Sequence, residues 1–419
     1  MDINAMLAGV KCTCGRVHTC AIEKVYIERG AISHLRELCA EESGILLVAD
    51  GNTYAAAGRQ VEEALAGKSY TSVIFPGESI LIPNEAAIER VEAALSGIGL
   101  IIGIGSGVIQ DLCKYVSHTS KIPYMVVATA PSMDGYASTG AAMILGGMKV
   151  TVAAGVPRAF LADTEVLRKA PIEMIKAGYG DIIGKYSALC DWRLAAAVNG
   201  EYLCEYIYGT TYAMIEKTKK NARGLLERRE ESVAALTEAL IIVGIMMSFA
   251  GSSRPASGSE HHLSHFFEIV GIVRDEPYFP HGIDVAYSTV VTAGLRKALL
   301  ARPFAAAQYA EPRAEYVAAM ERVYGAEVGA GCVALQDKVG TYGRDRVSVY
   351  RQKEMEIRKI LENTPGPEEI LELLSLCELD MAEFYSLYGE EKIAEAVRYA
   401  KDLKDRYSVL WMNYDMQEN

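Results

Sequence analysis

The densest chemistry in this chain lies in SEHHLSHFFE (259–268), followed shortly by Pro280-His281-Gly282. Four of the seven histidines fall between positions 261 and 281. His261, His265 and Glu268 recur at i, i+4 and i+7, so a helix places them on one face. A neutral imidazole is the commonest metal ligand, and a mononuclear catalytic site needs three protein donors with one position open. His261 and His281 would supply two donors. The local sequence does not single out the third, for which a carboxylate is the expected type. Asp181, in GYGDIIGK (178–185), suits that role; it suits equally the N-cap of a helix opening after the glycine turn. For the histidines, the alternative is a hydrogen-bonded helix surface.

Three further segments carry chemistry-bearing residues. Gly103-Ile104-Gly105-Ser106-Gly107 follows an apolar run and opens a helix, where backbone N–H groups and the helix dipole favour a phosphate. It is not the Rossmann fingerprint, because Val108 stands where a third glycine is due. A tight turn without a ligand fits the same residues, and Asp111 with Lys114 fits an ordinary i, i+3 surface pair. TAPSMDGYAS (129–138) gathers hydroxyls and one carboxylate in a small-residue loop, as a polar ligand contact or as a solvated turn. Cys12, Cys14, His18 and Cys20 cluster near the start, but a Cys-x-Cys spacing departs from the usual zinc pattern. A short strand or hairpin with buried thiols is the expectation there.

These residues must be held by elements the sequence also marks. Runs at 44–50, 72–75, 97–105, 123–129, 149–153 and 159–162 read as strands. Helical spacing separates the early ones: 53–66, 84–96 with Asn84 as cap, and from about Val108 onward. Alternation of this kind predicts a parallel, helix-covered sheet with ligands at the carboxyl ends of its strands. After Pro171 the pattern is helical nearly to the end, at 193–222, 229–250, 283–300, 311–325, 346–362, 366–375, 380–386 and 389–406. The expected architecture is an α/β domain over residues 1–165 and an all-helical domain over 166–419. The tail 411–419 carries no assignable pattern.

Composition narrows the function classes. Lys plus Arg is 42 against 54 Asp plus Glu, a net charge of −12, which argues against tracking a nucleic-acid backbone or coating an anionic membrane. The start lacks the basic and apolar regions of a signal peptide, and the apolar run 240–250 is too short to span a bilayer, so a buried core helix is expected. Nine cysteines, an odd number and dispersed except near the start, suggest reduced thiols in a cytoplasm.

Taken in order, GSGVIQD (105–111), ATAPSMDGYAS (128–138), GYGDIIGKYSALCDW (178–192), SRPASGSEHHLSH (253–265) and HG (281–282) resemble the sn-glycerol-1-phosphate dehydrogenase branch of the glycerol dehydrogenase, iron-type alcohol dehydrogenase and dehydroquinate synthase superfamily. The resemblance runs from about residue 10 to about 300. It implies a dehydroquinate synthase-like fold, an α/β NAD(P)-binding domain followed by a helical metal domain, and a homodimer. Asp181, His261 and His281 resemble the metal ligands, and His265 the substrate-contacting histidine one turn on. Gly105 to Asp111 (Gly105, Ser106, Gly107, Val108, Ile109, Gln110, Asp111), Thr129, Ala130, Pro131, Ser132 and Ser138 resemble the dinucleotide contacts. Asp134 resembles the substrate-contacting carboxylate.

The implied reaction interconverts dihydroxyacetone phosphate and sn-glycerol 1-phosphate by hydride transfer, with NAD(H) or NADP(H) and one divalent Zn, Ni or Fe ion. Asp134 and His265 would serve catalysis, and Asp181, beside its metal role, would lie against substrate. Asp50 is the candidate reader of the ribose 2′-OH. Arg254 and Lys185 are candidates for the substrate phosphate by position, and each fits a structural ion pair equally well. The rivals are a dehydrogenase of an unphosphorylated polyol such as glycerol and a non-catalytic dinucleotide- or metal-binding protein. A dehydroquinate synthase fits less well, because Asp181 stands where that branch has a Glu.

Overall fold

The computed structural model describes residues 2–78, 81–146, 148–304 and 308–417. The chain forms two compact units, one of Met1–Tyr179 with Glu216–Ser253 and one of Gly180–Ile215 with Arg254–Asn419. By compactness the chain thus divides differently from a cut at 165/166, because segment 216–253 returns to the first unit.

The first unit is built on a six-stranded parallel sheet. Its strands are β3 (Lys24–Glu28), β4 (Ile45–Asp50), β5 (Tyr70–Phe75), β6 (Leu100–Ile104), β7 (Tyr124–Val127) and β10 (Ala159–Asp163), in the order β3-β10-β7-β6-β4-β5. β1 (Val10–Lys11) and β2 (Val17–His18) form the expected N-terminal hairpin. A second hairpin joins β8 (Gly140–Leu145) to β9 (Met148–Ala153), so the strand expected at 149–153 stands outside the parallel sheet. The central strands are apolar along their whole length because helices cover both faces; Leu100, Ile101, Ile102 and Ile104 are all fully buried. Chain direction across the sheet reverses between β4 and β6, the point where open α/β sheets bind ligands. β3 was not marked by the sequence. At the sheet edge its pattern, Lys-Val-Tyr-Ile-Glu, is too mixed to stand out.

The helix Glu230–Ala250 belongs to this unit and is the buried core helix expected for the run 240–250. It has 21 residues, long enough by length and composition to cross a membrane, yet it is mostly buried within the protein. Gly244 explains its fit: a Cβ there would lie 2.8 Å from the Asp134 carbonyl oxygen and from Ala137 Cβ. Ser248 Oγ donates to the Ala137 carbonyl at 2.8 Å, which fixes the helix beside the 134–138 loop.

The second unit is helical. It includes the end of Ile172–Asn199, the start of Glu205–Leu226, then Ser259–Arg274, His281–Leu300, Arg313–Val339, Val347–Gln352, Glu354–Glu362, Pro367–Ser375, Met381–Tyr399 and Val409–Asp415. The helix expected at 193–222 is two helices, broken near Gly200, whose φ is +67°. The breaks placed at 325 and 386–389 are kinks at Gly325 and Gly389, both with positive φ. The tail without a pattern in fact holds a helix, with Trp411 buried and Asp415 gripping Arg346 through two bonds of 2.6 Å. Its last residues, 418–419, lie outside the described residues.

Candidate active site

In the helical unit, glycines set the metal-donor geometry. Ile172–Asn199 packs on His281–Leu300 through Gly180 and Gly184; a Cβ at Gly180 would lie 2.4 Å from the Gly282 carbonyl oxygen, and one at Gly184 2.5 Å from Val285 Cγ1. That close approach brings Asp181 beside His281, at the first position of its helix. His261, near the start of Ser259–Arg274, completes the group: donor atoms of Asp181, His261 and His281 all lie within 4.8 Å of one another. Asp181 sits well inside its helix, so it is not the N-cap that its local sequence allowed.

The histidine tautomers follow from their partners. Glu260 Oε1 accepts the Gly258 N–H at 2.9 Å and lies 2.7 Å from His261 Nδ1, which assigns a proton to Nδ1. His261 Nε2 then presents a lone pair, 3.6 Å from Asp181 Oδ1. Nitrogen and oxygen donors on one tetrahedral ion stand about 3.4 Å apart when each bond is about 2.0–2.1 Å. His281 is held alike. Ser264 Oγ lies 3.2 Å from its Nδ1 and 3.4 Å from its carbonyl oxygen, so the hydroxyl donates to the carbonyl and accepts from Nδ1–H. Two imidazoles with Nδ1 tied back and a buried carboxylate between them form a set that fits a divalent ion.

The electrostatics agree. Burial first, then Lys185, His281 and His265, hold His261 well below the ordinary histidine range, so it stays neutral and able to ligate. Burial and Asp191 push Glu260 up to about 8. His265, one turn after His261, has its ring 5.4 Å from that of His281. Glu268, on the same face by spacing, is not part of the three-donor group; its charge acts on Asp284 and Tyr278.

Neither cation proposed for a substrate phosphate is available to one. Lys185 Nζ, fully buried, donates to Asp181 Oδ1 at 2.6 Å and to the Ala256 carbonyl at 2.9 Å. Arg254 makes a bidentate pair with Glu201 and donates to the Tyr407 carbonyl. Glu260, Ser264 and Lys185 therefore orient the three candidate donors, roles the sequence reading missed. For Glu260 and Lys185 the signal was present in adjacency to His261 and i+4 spacing from Asp181, whereas Ser264 supports His281 seventeen residues on and carried no local signal.

In the α/β unit, the loop after β6 opens the helix Gly107–Ser120 with Ser106 as cap. Gly103 and Gly105 serve packing: a Cβ would meet Cys113 Sγ at 2.9 Å and Ile109 Cβ at 2.7 Å respectively. Gly107, with φ of +38°, has open space where its Cβ would lie, and the unbonded N–H groups of a helix start follow it. Val108 and Asp111 are half-buried on this first turn, whereas Ile109 is buried in the core. Gln110 turns inward and donates to the Tyr136 carbonyl at 2.8 Å.

Lys114 is not a surface residue. Fully buried, it donates to the carbonyls of Gly135 and Gly140, each at 2.9 Å, and lies 3.8 Å from Asp111. Burial lowers its pKa, and Asp111 and Asp134 oppose that. Ser138 Oγ also donates to the Gly135 carbonyl, at 2.9 Å. Gln110, Lys114 and Ser138 thus hold the 134–140 backbone, and Tyr136 Oη donates to the Ala130 carbonyl at 2.6 Å. Thr129 and Ala130 are buried, Pro131 is tightly packed under Gly178, and Ser132 is half-buried. Asp134 is 8% exposed. Asp50 ends β4 at the switch point, but its Oδ1 is already engaged by the N–H groups of Asn52 and Thr53 as a helix cap.

Comparison with known proteins shows the family and the fold. The iron-containing alcohol dehydrogenase family profile matches residues 26–171. A glycerol-1-phosphate dehydrogenase [NAD(P)+] of Halalkalibacterium halodurans is 34% identical over 296 residues, 68% of this chain and 74% of that protein. The chain belongs to the glycerol-1-phosphate dehydrogenase family. A relative from Bacillus licheniformis, with the same name, is 28% identical over 421 residues, covering 95% of this chain and 90% of its own. That match extends through the helices after 300, where no motif was recognisable. Among solved structures, glycerol dehydrogenase from Schizosaccharomyces pombe superposes with a TM-score of 0.63 at 15% identity, covering 94% of this chain and 87% of that one. The fold is that of the iron-type alcohol dehydrogenases, an α/β sheet unit with a helical unit.

Proposed function

We propose that this protein is a metal-dependent NAD(P)H oxidoreductase that interconverts dihydroxyacetone phosphate and sn-glycerol 1-phosphate by hydride transfer. The observation that carries the reading is the Asp181–His261–His281 group, its aspartate and first histidine buried and both histidines tied back through Nδ1, in a member of this family. A divalent ion held by these three residues would polarise the substrate carbonyl as a Lewis acid.

The chain's own residues do the rest. Glu260 and Ser264 fix which nitrogen each ligating histidine presents. Lys185 neutralises and aims Asp181. His265 is the proton relay to the C2 oxygen, being one turn from His261 and outside the donor group. Gly107 and the following N–H groups receive the dinucleotide pyrophosphate, with Thr129 to Ser132 along its path and Asp134 against substrate. Lys404 is a further cation whose charge reaches His261 and His262, beside Lys185 and Arg254. The phosphorylated substrate, a homodimer and a cytoplasmic setting rest on the family relationship; that all nine cysteines are thiols, not disulfides, supports the last.

The test is oxidation of NADH and NADPH with dihydroxyacetone phosphate, in metal-free protein and after adding Zn, Ni or Fe. Activity should require metal, and Asp181→Asn or His261→Ala should abolish it. Full activity in either variant overturns the mechanism, and a higher rate with free than with phosphorylated dihydroxyacetone overturns the substrate.

A further inference from the structure

We propose that Cys12, Cys14 and His18 form a second metal site, a thiolate–imidazole site for a zinc-type ion that cross-links the N-terminal hairpin where it packs on the Glu230–Ala250 helix. The three residues lie far from standard spacing in sequence, but the hairpin folds the chain back and removes that objection. The Cys12 N–H donates to the Arg16 carbonyl at 3.0 Å, and the Gly15 N–H to the Cys12 carbonyl at 3.1 Å. Gly15 takes a φ of +85°, which lets the turn close. His18 returns on β2, paired with Val10 of β1. Donor atoms at i, i+2 and i+6 consequently lie within 4.8 Å of one another.

The imidazole is oriented as a ligand. His18 is buried at 2% exposure, and its ring stacks on Phe249 at 5.4 Å and 15°. Its Nδ1 lies 3.2 Å from the Phe249 carbonyl, which can only accept, so Nδ1 carries the proton. Nε2 is left with a lone pair, 3.4 Å from Cys14 Sγ. Sulfur and nitrogen donors on one tetrahedral zinc stand about 3.6 Å apart for bonds of about 2.3 and 2.0–2.1 Å. A carbonyl behind the ligating imidazole is the support that metal-bound histidines carry. Two thiolates select a soft ion, with the fourth position taken by water or another thiol. Cys12 and Cys14 are half-buried rather than sealed in the core, which leaves an ion a way in.

The experiment uses whole protein and does not depend on catalysis. Metal analysis of protein saturated with zinc and then desalted should give two equivalents per chain, one equivalent in the Cys12→Ser, Cys14→Ser double variant, and one in His261→Ala. Cobalt-substituted wild-type protein should show the intense sulfur-to-cobalt charge-transfer absorption, and His261→Ala should keep it, because that variant leaves this site intact. Wild-type protein lacking that absorption overturns the proposal, even if the cysteine variant fails to fold. A double variant that still binds two equivalents also overturns it. Loss of reductase activity in His261→Ala with the absorption unchanged separates this site from the catalytic one.

Discussion

Replacing Gly180 with alanine adds one methyl group where two helices have no room for it. The new Cβ would sit 2.4 Å from the Gly282 carbonyl oxygen and 2.7 Å from Ala286 Cβ. Ordinary contact begins at 3.4 Å, so Ile172–Asn199 and His281–Leu300 must part by 3.4 − 2.4 = 1.0 Å, or about that once neighbours relax. Metal sites tolerate displacements of about 0.2 Å, and Asp181 and His281 ride on the two helices being separated.

The expected cost is about 1–3 kcal/mol of stability from overpacking. Affinity for the ion at this site should fall by more than about 100-fold, the upper end for loss of a ligand's support. Gly209→Ala is the matched control: nothing lies within 4 Å of its Cβ position, so it should gain up to about 1 kcal/mol from helix propensity and bind metal normally. The assay is chelator competition for the dissociation constant, with far-ultraviolet circular dichroism to show both variants are helical. A folded Gly180→Ala protein with the wild-type dissociation constant would refute the claim that this helix contact sets the ligand geometry.

Other perturbations test the supports around each site. Glu260→Ala should weaken metal binding about 10–100-fold by freeing His261 Nδ1, while Glu260→Gln, which keeps the accepting oxygen, should recover most of that affinity in the same competition assay. Lys114→Met removes the buried ammonium from the carbonyls of Gly135 and Gly140 and leaves them the shared Ser138 hydroxyl; about 1–3 kcal/mol in total should be lost in urea unfolding, together with weaker NADH binding by fluorescence. Asp415→Ala leaves the Arg346 guanidinium buried and unpaired, so a loss of about 3–5 kcal/mol in urea unfolding is expected from a single change in the C-terminal helix. Burial lifts the Cys39 thiol to about 11, so at pH 8 it is protonated and should resist iodoacetamide in the native protein. Mass spectrometry after labelling should find Cys39 modified only in denaturant.

By itself, the sequence determined the central strands, because β4, β6 and β7 are continuous apolar runs ended by turn residues, a pattern set by burial on both faces. It also marked the phosphate-loop glycines and the histidine cluster, because residue type and helical spacing are local properties. It could not tell ligand from cap at Asp181. That depended on a glycine contact between helices about a hundred residues apart in the chain. Nor could it show that Lys114 and Lys185 are buried, since a lysine's surroundings are supplied by whichever carbonyls and carboxylates the fold brings to it. The C-terminal helix was unreadable because its anchor is Arg346, on a separate helix. The Cys12–Cys14–His18 group failed every linear spacing rule for the same reason: a hairpin, not a motif, makes those donors neighbours. Tertiary structure decided these points because coordination and charge pairing depend on distance in space.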